Sequence, residues 1–114
     1  MMPTPLDPVA ALELDIPLEA VATEQVLDGD PRAGAVVLGE FDGREYGVWE
    51  MTPGAMSDVE NAELIVVVAG AATVEFLDDE RIVRLVPGSV MTLPVGARTI
   101  WTVTQTVRKV WVAD

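Results

Sequence analysis

From Ala35 to the C-terminus the chain is cut at short intervals by turn formers: Asp42-Gly43, Pro53-Gly54, Gly70, Pro87-Gly88 and Pro94-Val95-Gly96. The runs between them are rich in Val, Ile, Thr and aromatic residues, which leaves no room for a long helix and fits short strands joined by tight turns. Residues 34–41 and 44–51 read as a hairpin, because Asp-Gly tolerates the positive φ angles that a two-residue turn demands. Residues 73–77 and 81–85 read as a second hairpin around the polar Asp78-Asp79-Glu80. The apolar run 61–69 predicts a strand buried on both faces or set in the middle of a sheet, stopped by Gly70. Strands over 89–93, 99–103 and 107–112, with a polar break at 104–106, bring the total to about eight to ten. One open sheet of that size would expose its edges and an apolar face, so the fold class is all-β, with two packed antiparallel sheets or a barrel.

Four prolines (Pro3, Pro5, Pro8 and Pro17) break the first twenty residues. They predict an extended arm over residues 1–25, with one helical turn near 9–14, ahead of a single domain over 26–114. A chain of 114 residues with 50% hydrophobic content can bury roughly two-thirds of its unfolded surface, but has no room for a second domain. Cysteine and histidine are both absent, which removes disulfides, thiolate chemistry and every site that depends on imidazole. Nineteen acidic residues against seven basic ones give a net charge of −12, a field that repels nucleic acid and anionic membrane surfaces. The longest apolar stretch, 64–72, is about half of what crosses a bilayer, and the start of the chain lacks a basic leader, so a cytoplasmic location is expected. Seven acids in the first thirty residues read as a solvated surface.

Two spacings carry more information. Gly88-Ser-Val-Met-Thr-Leu-Pro94-Val-Gly96 has the form G-x5-P-x-G, and Glu63 is separated from Gly70 by six residues as E-x6-G. In this order they resemble the two motifs of the cupin superfamily, and the resemblance implies a double-stranded β-helix, or jelly roll. Residues 47–54, 63–70, 96–103 and 107–112 are similar to the small single-domain cupins grouped with the ureidoglycine aminohydrolase cupin domain, over roughly 26–112. That enzyme holds manganese with histidines, a glutamate and a glutamine. Here the histidine positions fall at Met56 or Ser57, at Asp58 or Val59, and at Thr99, and only Glu63 keeps its ligand identity. The expectation is therefore a protein without a metal or other cofactor, since imidazole supplies most of the affinity of such sites. An oxygen-only cation site would need Glu63 with Asp58 or Glu60 and about six or more oxygens in all.

Side chains alternate along a strand, so if Glu63 points into the barrel as the resemblance implies, Ile65 and Val67 lie beside it. Thr99 in the family's ligand position shares its face with Trp101, with Arg98 at the mouth. Trp49 and Met51 share a face, and Glu50 takes the other. Trp49, Met51, Glu63, Arg98, Thr99 and Trp101 are thus the candidate ligand-binding set, for a small polar or carbohydrate-like metabolite. Trp49, Trp101 and Trp111 read first as core aromatics and only second as ligand platforms. Glu63 is either satisfied by Arg98 or Arg84, or is the general acid/base of a metal-independent isomerase, epimerase or lyase. A third reading is a structural or regulatory dimer whose barrel is filled by Met51, Ile65, Val67 and Trp101. Arg108-Lys109 reads as a surface pair or intersubunit contact, and Glu60-Asn61 as a turn. A homodimer is expected, with the arm as its contact element.

Overall fold

The structure, a computed structural model, describes residues 7–114; Pro3 and Pro5 of the expected arm lie outside the described residues. The described residues contain nine strands and no helix: β1 (Glu19–Ala20), β2 (Val26–Asp28), β3 (Arg32–Phe41), β4 (Arg44–Met51), β5 (Gly54–Val59), β6 (Glu63–Phe76), β7 (Arg81–Leu85), β8 (Val90–Leu93) and β9 (Arg98–Ala113). Every pairing among them is antiparallel. Among the described residues, no helix is long and apolar enough to cross a membrane.

The β3–β4 hairpin turns at Asp42 (φ 51°) and Gly43 (φ 80°), both in the left-handed region that a twist-matched two-residue turn requires. The second expected hairpin is the C-terminal part of β6 with β7, closed by Phe76 opposite Arg81. At the centre lies β9. Its first half pairs with β5 on one side and the end of β6 on the other, and its second half pairs with β4 and the start of β6. One long strand shared in this way curls the sheet upon itself into a jelly roll.

Two strand expectations are corrected. Gly70 does not stop β6, which runs on to Phe76. Its φ of +83° and the approach of the Thr106 carbonyl, 2.0 Å from where a Cβ would stand, make it a bend at which the register with β9 slips. The polar stretch 104–106 is likewise no break, because β9 rounds the same corner, with Gln105 opposite Ala71. Of the two alternatives for the run around Leu64, the mid-sheet one holds, with pairing to β8 and β9, and not burial on both faces. Ile65 and Val67 are buried while Leu64 is 42% exposed. In addition, β5 begins at Gly54, beyond the turn that Pro53-Gly54 predicts; its residues Ala55 to Val59 lack the apolar alternation that announces a strand.

The barrel core comprises Met51, Met56, Ile65, Val67, Ala72, Val74, Phe76, Leu85, Leu93, Trp101, Val103 and Val107. These side chains come largely from alternate positions of β4, β5, β6 and β9, the period-2 signature of one buried face. The opposite face of β4 and β9 is partly covered by the N-terminal segment. Val9 and Ala11 lie near Val48 and Val110, and Val48 is fully buried. Arg108 ties that segment down by donating from Nη1 to the carbonyls of Ala11 and Leu14, both at 2.7 Å. The expected helical turn is a single turn there, with the Glu13 amide donating to the Ala10 carbonyl at 3.0 Å.

Candidate functional site

Alternation along β9 sends Thr99, Trp101, Val107, Lys109 and Trp111 to the inner face. The ladder with β4 then sets Trp49 directly opposite Lys109, Gly47 opposite Trp111 and Met51 opposite Val107. From β5, Met56 faces Trp101 and Asp58 faces Thr99. These rows enclose an open cavity of about 330 Å³ at one end of the barrel, lined by Trp49, Met56, Asp58, Glu60, Glu63, Trp101, Lys109 and Trp111, with Glu45 and Asp114 also contributing. Beneath it Met51, Ile65, Val67 and Trp101 fill the barrel. The interior is thus packed while the mouth stays open.

Lys109 is the centre of this arrangement. Its Nζ lies 3.1 Å from Glu63 Oε1, and both side chains are largely buried. The same nitrogen sits 4.7 Å from the ring centroids of both Trp49 and Trp101, whose planes are tilted by 59° at 5.5 Å. Two indole faces and a carboxylate together offset the loss of water around the ammonium. Gly47 has a related part. A Cβ there would stand 2.1 Å from the Val36 carbonyl oxygen and 2.8 Å from Cζ2 of Trp111, so glycine is needed both for the close approach of β3 and for that ring to lie across the strand.

Glu60 follows β5 in the connection to β6, and only 5% of it is exposed. The P-x-G loop clamps its backbone: the Glu60 amide donates to the Ala97 carbonyl at 2.9 Å, and the Gly96 amide donates to the Glu60 carbonyl at 2.7 Å. Its Oε2 accepts from Thr99 Oγ1 at 2.6 Å and from Trp101 Nε1 at 2.9 Å. Charge-assisted bonds of this kind hold a buried carboxylate in a fixed orientation. Asp58 lies near by, with Oδ1 accepting from the Val59 amide at 2.8 Å. Burial, and then the neighbouring charge of Glu60, push its carboxyl above the usual carboxylate range.

Of the six residues singled out from the sequence, Trp49, Glu63 and Trp101 line the cavity. Met51 is fully buried in the core below. Thr99 is also fully buried and acts behind Glu60. Arg98 points away from the cavity and pairs with Asp78 at the surface, where its guanidinium holds that carboxyl below the usual range. The partner of Glu63 is thus neither Arg98 nor Arg84 but Lys109. Arg108-Lys109 is not a surface pair: neighbours on a strand face opposite ways, and Arg108 binds Glu50 across the outer face, Nη2 to Oε1 at 2.7 Å. Nor is Glu60 merely part of a turn. Period 2 counted back from Trp111 would have found Lys109, whereas nothing local marks Glu60.

The positions at which the cupin resemblance places imidazoles do not fit a transition metal. They supply a thioether (Met56), a carboxylate (Asp58) and a hydroxyl already committed to Glu60 (Thr99). The acid that keeps its identity, Glu63, already carries an ammonium. Among the described residues, no three acidic, histidine or cysteine side chains gather as metal ligands do.

Residues 38–111 match the family model described as the EutQ-like cupin domain. Among solved structures the chain is similar to a protein of unknown function from Pseudomonas syringae pv. tomato, with 20% identity over 90% of this chain and 45% of that one, at a TM-score of 0.76. It is also similar to the EutQ protein of Clostridium difficile, with 20% identity, 72% and 61% coverage and a TM-score of 0.61. A cupin superfamily protein of Desulfitobacterium hafniense matches at 14% identity, 71% and 75% coverage and a TM-score of 0.58. At these identities the likeness shows the fold alone. The chain spans less than two-thirds of the length of the first two. No curated protein matches it.

Proposed function

The chain belongs to the EutQ-like cupin domain family, and from that premise we propose that it is a metal-free binding cupin that takes a small polar metabolite at the mouth of its barrel. The observation that carries this reading is the Lys109 ammonium, held by Glu63 and two indole faces in the cavity on which Met56 and Asp58 open. An aromatic wall with a few convergent polar groups is the usual composition of a small-molecule site. The further likeness to the ureidoglycine aminohydrolase cupins belongs to the same proposal as one of shape, without manganese. A metal-independent isomerase, epimerase or lyase with Glu63 as general acid/base is the weaker alternative, because the Glu63 carboxylate is engaged by Lys109. A structural or regulatory dimer is the other alternative: Met51, Ile65, Val67 and Trp101 do fill the barrel as that reading expects, and what favours binding over it is the open cavity at the mouth, which Glu63 lines.

The test is elemental analysis with native mass spectrometry of the purified chain. The expected result is no stoichiometric transition metal and a small bound mass. A stoichiometric metal overturns the proposal. We also place the protein in the cytoplasm as a homodimer, and light scattering that finds a monomer at micromolar concentration would remove the dimer.

A further inference from the structure

We propose that the ligand class of this site is a small primary or secondary ammonium ion, seated between the Glu60 and Asp58 carboxylates and the indole walls. This rests on the binding-site reading above and deepens it. Glu60 is the first ground. It is 5% exposed, its Oε2 is committed to Thr99 and Trp101, and its Oε1 has no hydrogen-bond partner among the described residues. No fully buried side-chain polar atom among those residues lacks a partner. Glu60 Oε1 is therefore reached from the cavity that Glu60 lines, and it presents an acceptor held rigidly from behind.

The charge balance is the second ground. Glu45, Asp58, Glu60, Glu63 and Asp114 line the cavity against the single cation Lys109. Glu63 is neutralised by Lys109 and Asp114 by Arg44, which leaves Glu45, Asp58 and Glu60 uncompensated. A cleft lined by one sign of charge, in a chain of net charge −12, concentrates the opposite sign and repels anions.

The walls are the third ground. Trp49 and Trp101 already bind one ammonium, that of Lys109, and Trp111 adds a further indole to the lining. Indole faces attract organic cations but do not ligate metal ions. An N–H-bearing ammonium also supplies the donors that the Glu60 and Asp58 oxygens accept, which a quaternary ammonium cannot. The cavity of about 330 Å³ is at the small end of the range of small-molecule sites.

The test follows the tryptophan indole N–H signals of the full chain by NMR during titration with two matched triples. These are glucosamine, glucose and glucuronate, and cyclohexylamine, cyclohexanol and cyclohexanecarboxylate. The ammonium member of at least one triple is expected to bind about tenfold or more tightly than its neutral and anionic counterparts, with E60Q weakening it severalfold. The amide that E60Q introduces keeps a carbonyl for Trp101, and D58N serves as the second variant should E60Q fail to fold. If the neutral or carboxylate members bind as tightly as the amines, the ammonium class is overturned while the binding site stands. If no compound shifts an indole signal up to about 50 mM, both the ammonium class and the site are overturned.

Discussion

Replacing Lys109 by methionine keeps the aliphatic stem and removes only the ammonium, so it isolates what that charge does. At 3.1 Å from Glu63 Oε1, the Coulomb attraction is about 5 kcal/mol at an effective dielectric of 20. Desolvation of two largely buried ions offsets most of it, so the intact pair is near neutral for stability. Removing one partner is not neutral, because it leaves the Glu63 carboxylate buried without compensation, at a cost of about 3–5 kcal/mol that includes the lost cation–π contacts with Trp49 and Trp101. K109M should therefore lower unfolding stability by about 3–5 kcal/mol, or roughly 12–30 °C in Tm. The double variant E63Q/K109M should recover about 2 kcal/mol of that loss, since it no longer buries a lone charge. Equilibrium urea unfolding, followed both by tryptophan fluorescence and by far-UV circular dichroism, measures all four corners of the cycle. The reasoning is refuted if K109M lies within about 1 kcal/mol of the parent, or if the double variant is no more stable than K109M.

E60A strips the acceptor from Trp101 Nε1 and Thr99 Oγ1 and should cost about 2–4 kcal/mol in urea unfolding, with E60Q costing less than half as much. For Asp58 the folded chain holds its proton more tightly than the unfolded chain, because burial and the charge of Glu60, with a smaller contribution from Glu63, outweigh the Val59 amide and Lys109. Stability therefore falls as pH rises from the ordinary value of 3.8 through the raised folded one. D58N should be more stable than the parent at neutral pH and lose that advantage below the ordinary value, as denaturation midpoints across a pH series would read; an advantage independent of pH would count against the assignment. R108M releases the carbonyls of Ala11 and Leu14, so limited proteolysis should cut within residues 7–18 severalfold faster while the barrel stays folded. An unchanged cleavage rate would mean that Arg108 does not hold the segment.

The hairpin at Asp42-Gly43 was legible because a turn that needs positive φ selects its own residues, and the inner positions Trp49, Ile65, Val67 and Trp101 were legible because a strand alternates. The strand β5 was not, since Ala55 to Val59 carry no alternating apolar pattern and are held by pairing with β9. The continuity of β6 and β9 was hidden for the opposite reason. Gly70 and the polar 104–106 look like local stops, yet the two strands turn one corner together and keep their pairing on both sides of it.

By itself the sequence determined what depends on neighbours along the chain: an all-β grammar, the turns, the excess of negative charge, the absence of imidazole and thiol, and the motif spacings of a cupin. The tertiary structure decided which of those residues meet. Glu60 reaches Thr99 and Trp101 across about forty positions of sequence, Lys109 lies against Trp49 from about sixty positions away, and Arg98 turns outward to Asp78. Such contacts are fixed by strand register and by the path of loops around a closed sheet, and a one-residue slip in register would send the strand-borne side chains among them to the other face.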